Sequence, residues 1–292
     1  MRLQTRAPLR DLLSLTKPRL SGLVVVTSGG GILLAPGLIA PWRAIVTMVA
    51  TALVVGGANS LNCYLERDLD GRMARTRDRP LPAGRLPART ALALGIVLSV
   101  VALPVLAVAS NVLTALLALT ALVVYVAIYT PLKQLSPLAL WAGALPGALP
   151  PLMGWTAVRG RIEVPGLVLF AILFCWQIPH FIAIAIHRSD EYLHAGHKIL
   201  PLQVGPIAVR LHATVWTAIL VPVSMLPAPL GIVHPWCFPA AGTLGLLFLA
   251  WTASGFAHTD EQATQRWARR LFVASLVYLN ALFVVLVAGR NA

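Results

Sequence analysis

The sequence predicts an all-α fold, a polytopic membrane bundle of about nine transmembrane helices. Of the 292 residues, 58% are hydrophobic and only 11% are charged, whereas a soluble domain carries about 25% charged residues. Apolar runs of about twenty residues, the length that crosses the hydrocarbon core of a bilayer, recur along the chain. No polar stretch between them is long enough to bury a core of its own. We therefore predict a single integral membrane domain over residues 1–292.

The apolar runs place the predicted spans one after another along the chain. The third and fourth spans are separated only by a short turn at Ser110 and Asn111, which predicts a tight hairpin. The predicted spans are Leu20–Ala40, Ala44–Leu65, Thr90–Ser110, Val112–Thr130, Ser136–Ala157, Val164–Ile186, Ile207–Pro227, Gly231–Ala257 and Leu271–Ala288.

Basic residues fix the predicted orientation of these spans. With the N-terminus inside, 19 of the 23 lysines and arginines lie in inner segments, and such a bias marks the cytoplasmic side. We therefore predict a cytoplasmic N-terminal segment, residues 1–19, and a C-terminus outside. Among the acidic residues, Glu163 alone falls on the outer side. The net charge of +13 is spread over short loops, which favours topology signals and contact with anionic lipids of the bilayer over nucleic acid.

The chemistry-bearing stretch of the chain is residues 62–80, at the end of the second span. It holds four of the ten acidic residues and five arginines. Asn62, Glu66 and Asp70 recur every four residues, so a continuing helix places them on one face, with Asp68 on another. Two like charges one turn apart destabilise a helix unless a cation bridges them. Oxygen ligands for Mg²⁺ beside an arginine cluster predict a site for a diphosphate. The alternative is a solvated helix end with ordinary charges.

A second set of candidate residues follows the sixth span. Asp190 and Glu191 could hold another cation on the same diphosphate, or belong to an ordinary interfacial loop. Inside that span, Gln177 and His180 are polar at membrane depth, which favours a cavity-facing role, although a lone histidine is more often a hydrogen-bonded structural residue. Lys133 closes the fourth span as a membrane anchor or as a point charge for a leaving group.

These motifs resemble those of the UbiA superfamily of intramembrane prenyltransferases. Asn62-x3-Glu66-x3-Asp70 is similar to the superfamily's Asn-x3-Asp-x3-Asp signature, with Glu66 at a position where the family has Asp. Trp176-Gln-x-Pro-His180-Phe and the Lys17-Pro-Arg19 segment resemble the haem-modifying branch. The resemblance runs in order from about residue 15 to about residue 285.

This resemblance implies helices around a central cavity open to the cytoplasmic side of a bacterial inner membrane. It implies Mg²⁺-dependent transfer of a farnesyl group from farnesyl diphosphate to a vinyl group of haem B, with addition of water. A downstream haem-modifying enzyme is an implied partner. The implied roles are metal ligation by Asn62, Glu66, Asp70, Asp190 and Glu191, diphosphate neutralisation by Arg75, Arg79, Lys133 and Arg19, and substrate contact by Tyr129, Gln177, His180 and Lys198.

Two other functions compete with this interpretation. One is prenylation of an aromatic quinone precursor, against which the haem-branch elements of the sixth span argue. The other is a transporter with two pseudo-repeats. A transporter places polar residues at mid-bilayer, whereas the acids of this chain cluster at the ends of two spans.

Overall fold

The computed structural model describes residues 9–196, 198–258 and 260–291, without the side chains of residues 19 and 20. Throughout these residues the chain is helical, apart from loops and one isolated bridge between Val233 and Arg290. The predicted all-α membrane fold class is therefore confirmed.

The helices are numbered α1 to α13 in chain order over the described residues. A six-residue π-helix, Val124–Tyr129, joins α5 to α6, and a short 3₁₀-helix, Ser254–Ala257, follows α12. The α-helices are α1 (Leu9–Leu15), α2 (Pro18–Leu34), α3 (Pro41–Asp70), α4 (Ala88–Ala109), α5 (Val112–Val123), α6 (Thr130–Leu135), α7 (Ala139–Arg159), α8 (Val164–His187), α9 (Ser189–His194), α10 (Leu200–Gln203), α11 (Pro206–Met225), α12 (Cys237–Ala253) and α13 (Glu261–Ala288).

Helix length and composition bear on the predicted spans. Within the described residues, seven helical segments are long and apolar enough to cross a membrane. The remaining predicted spans coincide with α2, whose apolar part covers Ser21–Leu34, and with α7, which contains three prolines. The count of nine spans therefore stays a prediction. The last helix begins at Glu261, ahead of the predicted start of its span at Leu271.

The core of the bundle lies around α8, which packs against α7, α11 and α13. Apolar side chains such as Leu169, Ile178 and Ile182 on α8 are fully buried. Helix α2 lies directly against α7 because glycines remove the side chains between them. Any side chain at Gly31 would collide with the backbone of Pro151, which is how small residues allow membrane helices to approach closely.

The two ends of the bundle carry different groups of charged residues. At one end, Glu163 accepts hydrogen bonds from the Nε of Arg159 at 2.9 Å, the Nε of Arg161 at 2.7 Å and the indole of Trp155 at 2.9 Å. Arg159 also donates to the carbonyl of Pro36, before α3. The guanidinium of Arg159 holds the pKa of Glu163 down to about 2. Arg159, held by Glu163, therefore ties the loop after α7 to the loop before α3. The other charged residues of interest lie at the opposite end.

Candidate active site at the exit of helix α3

The last two turns of α3 carry three buried polar side chains on one face. Asn62, Glu66 and Asp70 are 1%, 7% and 2% exposed. The Nδ2 of Asn62 donates to the Oε2 of Glu66 at 2.8 Å. Asp68 points elsewhere, with a side chain 81% exposed beside Arg67. The predicted common face is therefore present, and the intervening acid is outside it, as the helical spacing requires.

Each of these three residues contacts one cationic side chain of the protein. Lys17 donates to the Oδ1 of Asn62 at 2.8 Å, and Lys133 forms an ion pair with the Oε1 of Glu66. The Nη1 of Arg79 donates to both carboxylate oxygens of Asp70, at 2.9 and 2.7 Å. Buried carboxylates require such compensation because desolvation otherwise penalises the charge. The cations come from the turn before α2, from α6 and from the loop after α3.

The backbone around Lys17 explains how this residue reaches the site. Lys17 has φ 49° and ψ 59°, and it is the one non-glycine among the described residues with positive φ. Pro18 follows it at the start of α2, and a proline disfavours the right-handed helical region for the residue before it. A left-handed conformation costs a non-glycine residue roughly 1–2 kcal/mol. Such strain concentrates at functional sites. Burial lowers the pKa of the Lys17 amine below its ordinary value.

The π-helix sets the direction of Lys133. The hydroxyl of Thr130 donates to the carbonyl of Tyr125 at 2.8 Å and accepts from Asn62 at 3.2 Å. The ammonium of Lys133 lies 4.7 Å from the centre of the Tyr129 ring, which fills the space left by Gly143. Single π-turns inside helices are frequent at functional sites. Here the turn brings Thr130 and Lys133 together against α3.

The acids after α8 have a different environment. Asp190 is exposed, and Glu191 pairs with Arg188 at 2.6 Å and with Arg75 at 3.7 Å. The Arg75–Glu191 pair joins the loop after α3 to α9, so the two predicted patches lie beside each other. The side chain of Lys198 is exposed, while its backbone N–H donates to the carbonyl of Lys133 at 3.0 Å. A metal role for Asp190 and Glu191 stays a prediction.

Deeper in α8, Gln177 and His180 have fixed environments. Gln177 donates to the carbonyls of Ala144 and Leu173, both at 3.1 Å, and so links α8 to α7. The imidazole of His180 stacks on Trp176, with ring centres 4.6 Å apart. Substrate contact by either residue stays a prediction.

The hydrogen bonds of Ser275 assign the tautomer of His180. The Nδ1 of His180 lies 2.8 Å from the Oγ of Ser275, which itself donates to the carbonyl of Phe272 at 2.6 Å. Because that bond uses the hydroxyl proton, the Oγ accepts from Nδ1–H. The Nε2 of His180 then carries the free lone pair, and it makes no hydrogen bond with the described residues. A neutral imidazole held in this way is a competent metal ligand.

Sequence reasoning missed two members of this site. It assigned Arg19 to neutralisation of the substrate's diphosphate, and the side chain of Arg19 lies outside the described part of the structure. It did not assign Lys17, although the proline after Lys17 was a signal for an unusual backbone. Thr130 was missed because its role depends on the π-helix, which nothing in the local sequence indicates.

A cavity of about 560 Å³ adjoins Asp70. It lies between α1, the end of α3 and the loop that follows α3. Its lining includes Asp70, Arg75 and Arg79 of the site, and also Arg10 and Arg85. Asp70 and its partner Arg79 therefore border an open volume, whereas Asn62, Glu66, Lys17 and Lys133 do not line it.

The oxygen donors at the α3 exit fit Mg²⁺. An amide and two carboxylates share one face, and all three already lie next to positive charge. In the described part of the chain, no group of three His, Cys, Asp or Glu side chains could hold a metal alone. Mg²⁺ is commonly bound by one or two carboxylates together with substrate phosphates and water, and the α3 exit offers two carboxylates and an amide oxygen.

Known proteins resemble this chain in sequence and in fold. A relative from Anaeromyxobacter sp., protoheme IX farnesyltransferase, is 53% identical over 97% of this chain and 94% of its own length. A solved structure of digeranylgeranylglyceryl phosphate synthase matches with a TM-score of 0.81 at 17% identity, over 96% of this chain and 98% of its own. A UbiA homologue from Archaeoglobus fulgidus, bound to GPP and Mg²⁺, matches with a TM-score of 0.68 at 17% identity, over 94% and 99% of the two chains.

The family assignment follows from the extent of these matches. The profile of the UbiA prenyltransferase family matches residues 23–276, which include α3, α6 and α8 and almost all of the charged residues of the site. The family profile and the similarity to the Anaeromyxobacter relative agree with each other, and this chain belongs to the UbiA prenyltransferase family.

Proposed function

We propose that this protein transfers the farnesyl group of farnesyl diphosphate to a vinyl group of haem B, with addition of water, and yields haem O and diphosphate. The observation that carries the proposal is the set of three oxygen–cation pairs at the α3 exit. A diphosphate ester needs this charge arrangement to leave. The name of the Anaeromyxobacter relative supports haem as the acceptor and farnesyl as the transferred group.

The donor half of the reaction belongs to the α3 exit. Mg²⁺ held by Asn62, Glu66 and Asp70 would neutralise diphosphate oxygens and so improve the leaving group. Lys17, Lys133 and Arg79 compensate these same oxygens in the structure. With Mg²⁺ bound to the oxygens of α3, the three cationic side chains would be free to turn onto the oxygens of the diphosphate. They then stabilise the negative charge that develops as the C1–O bond of the donor breaks.

A second group of cations completes the neutralisation. Arg75, now paired with Glu191 at 3.7 Å, lies at the edge of the cavity next to Asp70. Its long ion-pair distance and half-exposed side chain leave it able to move toward a phosphate. We assign Arg75 and Lys198 to closure over bound diphosphate, and Asp190 and Glu191 to a second metal or to the orientation of Arg75.

The acceptor half requires no nucleophilic side chain. The electron pair of the haem vinyl group forms the new C–C bond to the farnesyl C1, and the resulting cation on the vinyl-derived carbon takes a water, which loses a proton. The product carries a hydroxyl on that carbon, and diphosphate leaves. The chain's contribution is to orient the porphyrin and to exclude water until the C–C bond has formed. We assign His180 to the haem iron, because its Nε2 makes no hydrogen bond with the described residues.

A mass assay tests the proposal directly. Purified protein is incubated with haem B, farnesyl diphosphate and Mg²⁺, and the porphyrin products are separated and weighed. We expect a haem whose mass increases by one farnesyl group and one hydroxyl group. The same mixture with an aromatic quinone precursor in place of haem is the matched control. Prenylation of that precursor, with unchanged haem, would contradict the proposal and favour the quinone alternative.

The orientation in the membrane belongs to the same proposal. We propose that the protein lies in a bacterial inner membrane, with the N-terminus and the α3 exit on the cytoplasmic side and the C-terminus outside, because the inner segments carry the excess of basic residues. A downstream haem-modifying enzyme stays a predicted partner. Reporter fusions after Arg89 and after Asn291 should report opposite sides. Fusions on the same side would show that the spans after the second were counted wrongly.

A further inference from the structure

Helix α3 carries another buried amide one turn before Asn62. Asn59 is 5% exposed and lies on nearly the same face of the helix, because the two residues are three positions apart. In the described part of the chain, Asn59 forms no hydrogen bond with Lys17 or Lys133. A buried polar group is costly when it has no partner. The partners of its two amide atoms therefore indicate what this side chain does.

The donor atom of the amide holds the turn that carries Lys17. The Nδ2 of Asn59 donates to the carbonyl of Thr16 at 3.2 Å, and the hydroxyl of Ser21 donates to the same carbonyl at 3.1 Å. The turn lies close to α3 because Gly56 has no side chain, and a Cβ there would lie 3.2 Å from the Cβ of Thr16. A strained backbone persists only when its surroundings hold it. Asn59 therefore helps to hold Lys17 in its left-handed conformation.

The acceptor atom of the amide contacts the π-helix that precedes Lys133. The hydroxyl of Tyr125 donates to the Oδ1 of Asn59 at 3.4 Å. The Tyr125 ring lies 5.3 Å from the ring of Tyr129, and the ammonium of Lys133 lies over that second ring. At this distance the hydrogen bond is weaker than the one to the turn before α2. The same amide therefore contacts both elements that bring a lysine to α3.

We propose that Asn59 is a positioning residue that sets Lys17 and Lys133 beside each other for the diphosphate. The inference rests on the donor half of the proposed function, since it takes the two lysines as diphosphate ligands. Their acceptors on α3 are neighbours, because Asn62 donates to Glu66 at 2.8 Å. Two ammonium groups repel each other, so the elements that carry them must be held in place. Lysines held in this way lose little freedom when they turn onto a phosphate.

Donor affinity measures this positioning role. Farnesyl diphosphate is titrated by calorimetry, with Mg²⁺ and without haem, into the detergent-solubilised full-length protein. We expect Asn59→Ala to bind the donor about tenfold more weakly, as for the loss of its hydrogen bonds. Tyr125→Phe removes only the longer of the two bonds, so its loss should be no more than about threefold.

A double-mutant cycle tests whether Asn59 acts through Lys17. Lys17→Met removes the ammonium and keeps most of the apolar stem. In that background the position of residue 17 no longer matters to the diphosphate, so adding Asn59→Ala should weaken donor binding about threefold or less. A purely structural role would give the same tenfold loss in both backgrounds. Should Asn59→Ala not fold, Asn59→Ser takes its place in the same cycle, with the same expectation.

Asn111→Ala is the matched control. Asn111 lies at the start of α5, and its Nδ2 also donates to a backbone carbonyl, that of Thr156, at 2.7 Å. It caps α5 as well, by accepting from the N–H of Thr114. The variant should unfold at a lower temperature than the wild type and keep the wild-type donor affinity. Thermal unfolding of every variant accompanies the titrations.

The outcomes separate this inference from the proposed function. Wild-type donor affinity in a stable Asn59→Ala protein would overturn the inference, and so would an undiminished loss in the Lys17→Met background. An equal loss of donor affinity in Asn111→Ala would overturn it too, because general destabilisation would then explain the effect. A wild type that shows the expected coupling but makes no farnesylated haem would contradict the proposed function and leave the role of Asn59 standing.

Discussion

The exits of α3 and α8 carry acidic residues of the same kind in very different states. At the α3 exit, Glu66 and Asp70 are buried, and each is matched to one cation at hydrogen-bonding distance. At the α8 exit, Asp190 is exposed and Glu191 is shared between Arg188 and the more distant Arg75. The sequence already favours the α3 exit over the α8 exit, and the structure gives that difference a physical form.

The difference shows which exit is organised before substrate arrives. Buried and fully paired groups lose little freedom when a ligand replaces their partners, so the site is preorganised. Exposed ion pairs contribute about 0–1 kcal/mol and are readily exchanged. We therefore assign the α3 exit to binding and activation of the diphosphate, and the α8 exit to closure over it. Substitutions at the two exits should have effects of different size.

Asp70→Asn should have the largest effect. It keeps the shape of the side chain but removes one negative charge from the metal site, and turnover should fall roughly 100- to 1,000-fold, as when a main electrostatic contact of a transition state is lost. Asn62→Ala should act in the same direction. Turnover is measured at saturating Mg²⁺, and thermal unfolding of the same samples checks the fold. Near-normal turnover of Asp70→Asn at limiting Mg²⁺ would remove this residue from the metal site.

Lys17→Gly separates the charge of this residue from its backbone. Glycine adopts the left-handed conformation without steric cost, so the variant should unfold at the wild-type temperature or slightly above it. Loss of the ammonium should raise the KM for farnesyl diphosphate about tenfold. Arg19→Gln is the comparison, because sequence reasoning chose that residue. A larger KM effect in Arg19→Gln than in Lys17→Gly would show that Lys17 only shields Asn62.

His180→Ala tests the acceptor side of α8. If its Nε2 binds iron, haem affinity should fall about tenfold or more, whereas farnesyl diphosphate affinity should stay close to that of the wild type. The absorption spectrum of bound haem should change as well, since the axial ligand is lost. Both affinities falling together in a less stable protein would indicate a structural histidine. A stable variant with unchanged haem affinity would leave His180 with a packing role only.

Of the substitutions at Asp70, Lys17, His180 and Glu191, Glu191→Gln should have the smallest effect on catalysis. It removes two ion pairs of a partly exposed carboxylate, and such pairs are worth about 1 kcal/mol or less. Turnover should fall no more than about fivefold, with the change mainly in KM for the donor because Arg75 loses its orienting partner. Steady-state kinetics beside Asp70→Asn measure the contrast. A loss as large as that of Asp70→Asn would show that the two exits are equivalent metal sites.

The local features of the site could be predicted from the sequence. The spacing of Asn62, Glu66 and Asp70 gave their common helical face, and the structure confirms that Asp68 lies outside it. The tight hairpin between α4 and α5 followed from the short interval at Ser110. These predictions succeed because helical periodicity and apolar length are properties of contiguous residues.

Features that depend on distant parts of the chain could not be predicted. Lys17 reaches Asn62 across 45 positions, and Arg85 reaches Asp11 across 74. The π-helix that directs Lys133 changes the helical register without any glycine or proline inside it to signal the change. Sequence reasoning could therefore name the oxygens of α3, but it could not find Lys17 or the π-helix that directs Lys133 toward them.

The measurement that tests the central claim most directly is the Mg²⁺ dependence of farnesyl diphosphate binding. Wild type, Asp70→Asn and Glu191→Gln are titrated with the donor by calorimetry, each with and without Mg²⁺ and without haem. The account predicts that Mg²⁺ strengthens binding to the wild type and to Glu191→Gln, and that Asp70→Asn loses this gain. A full Mg²⁺-dependent gain in Asp70→Asn, with its loss in Glu191→Gln, would contradict the assignment of the diphosphate site to the α3 exit.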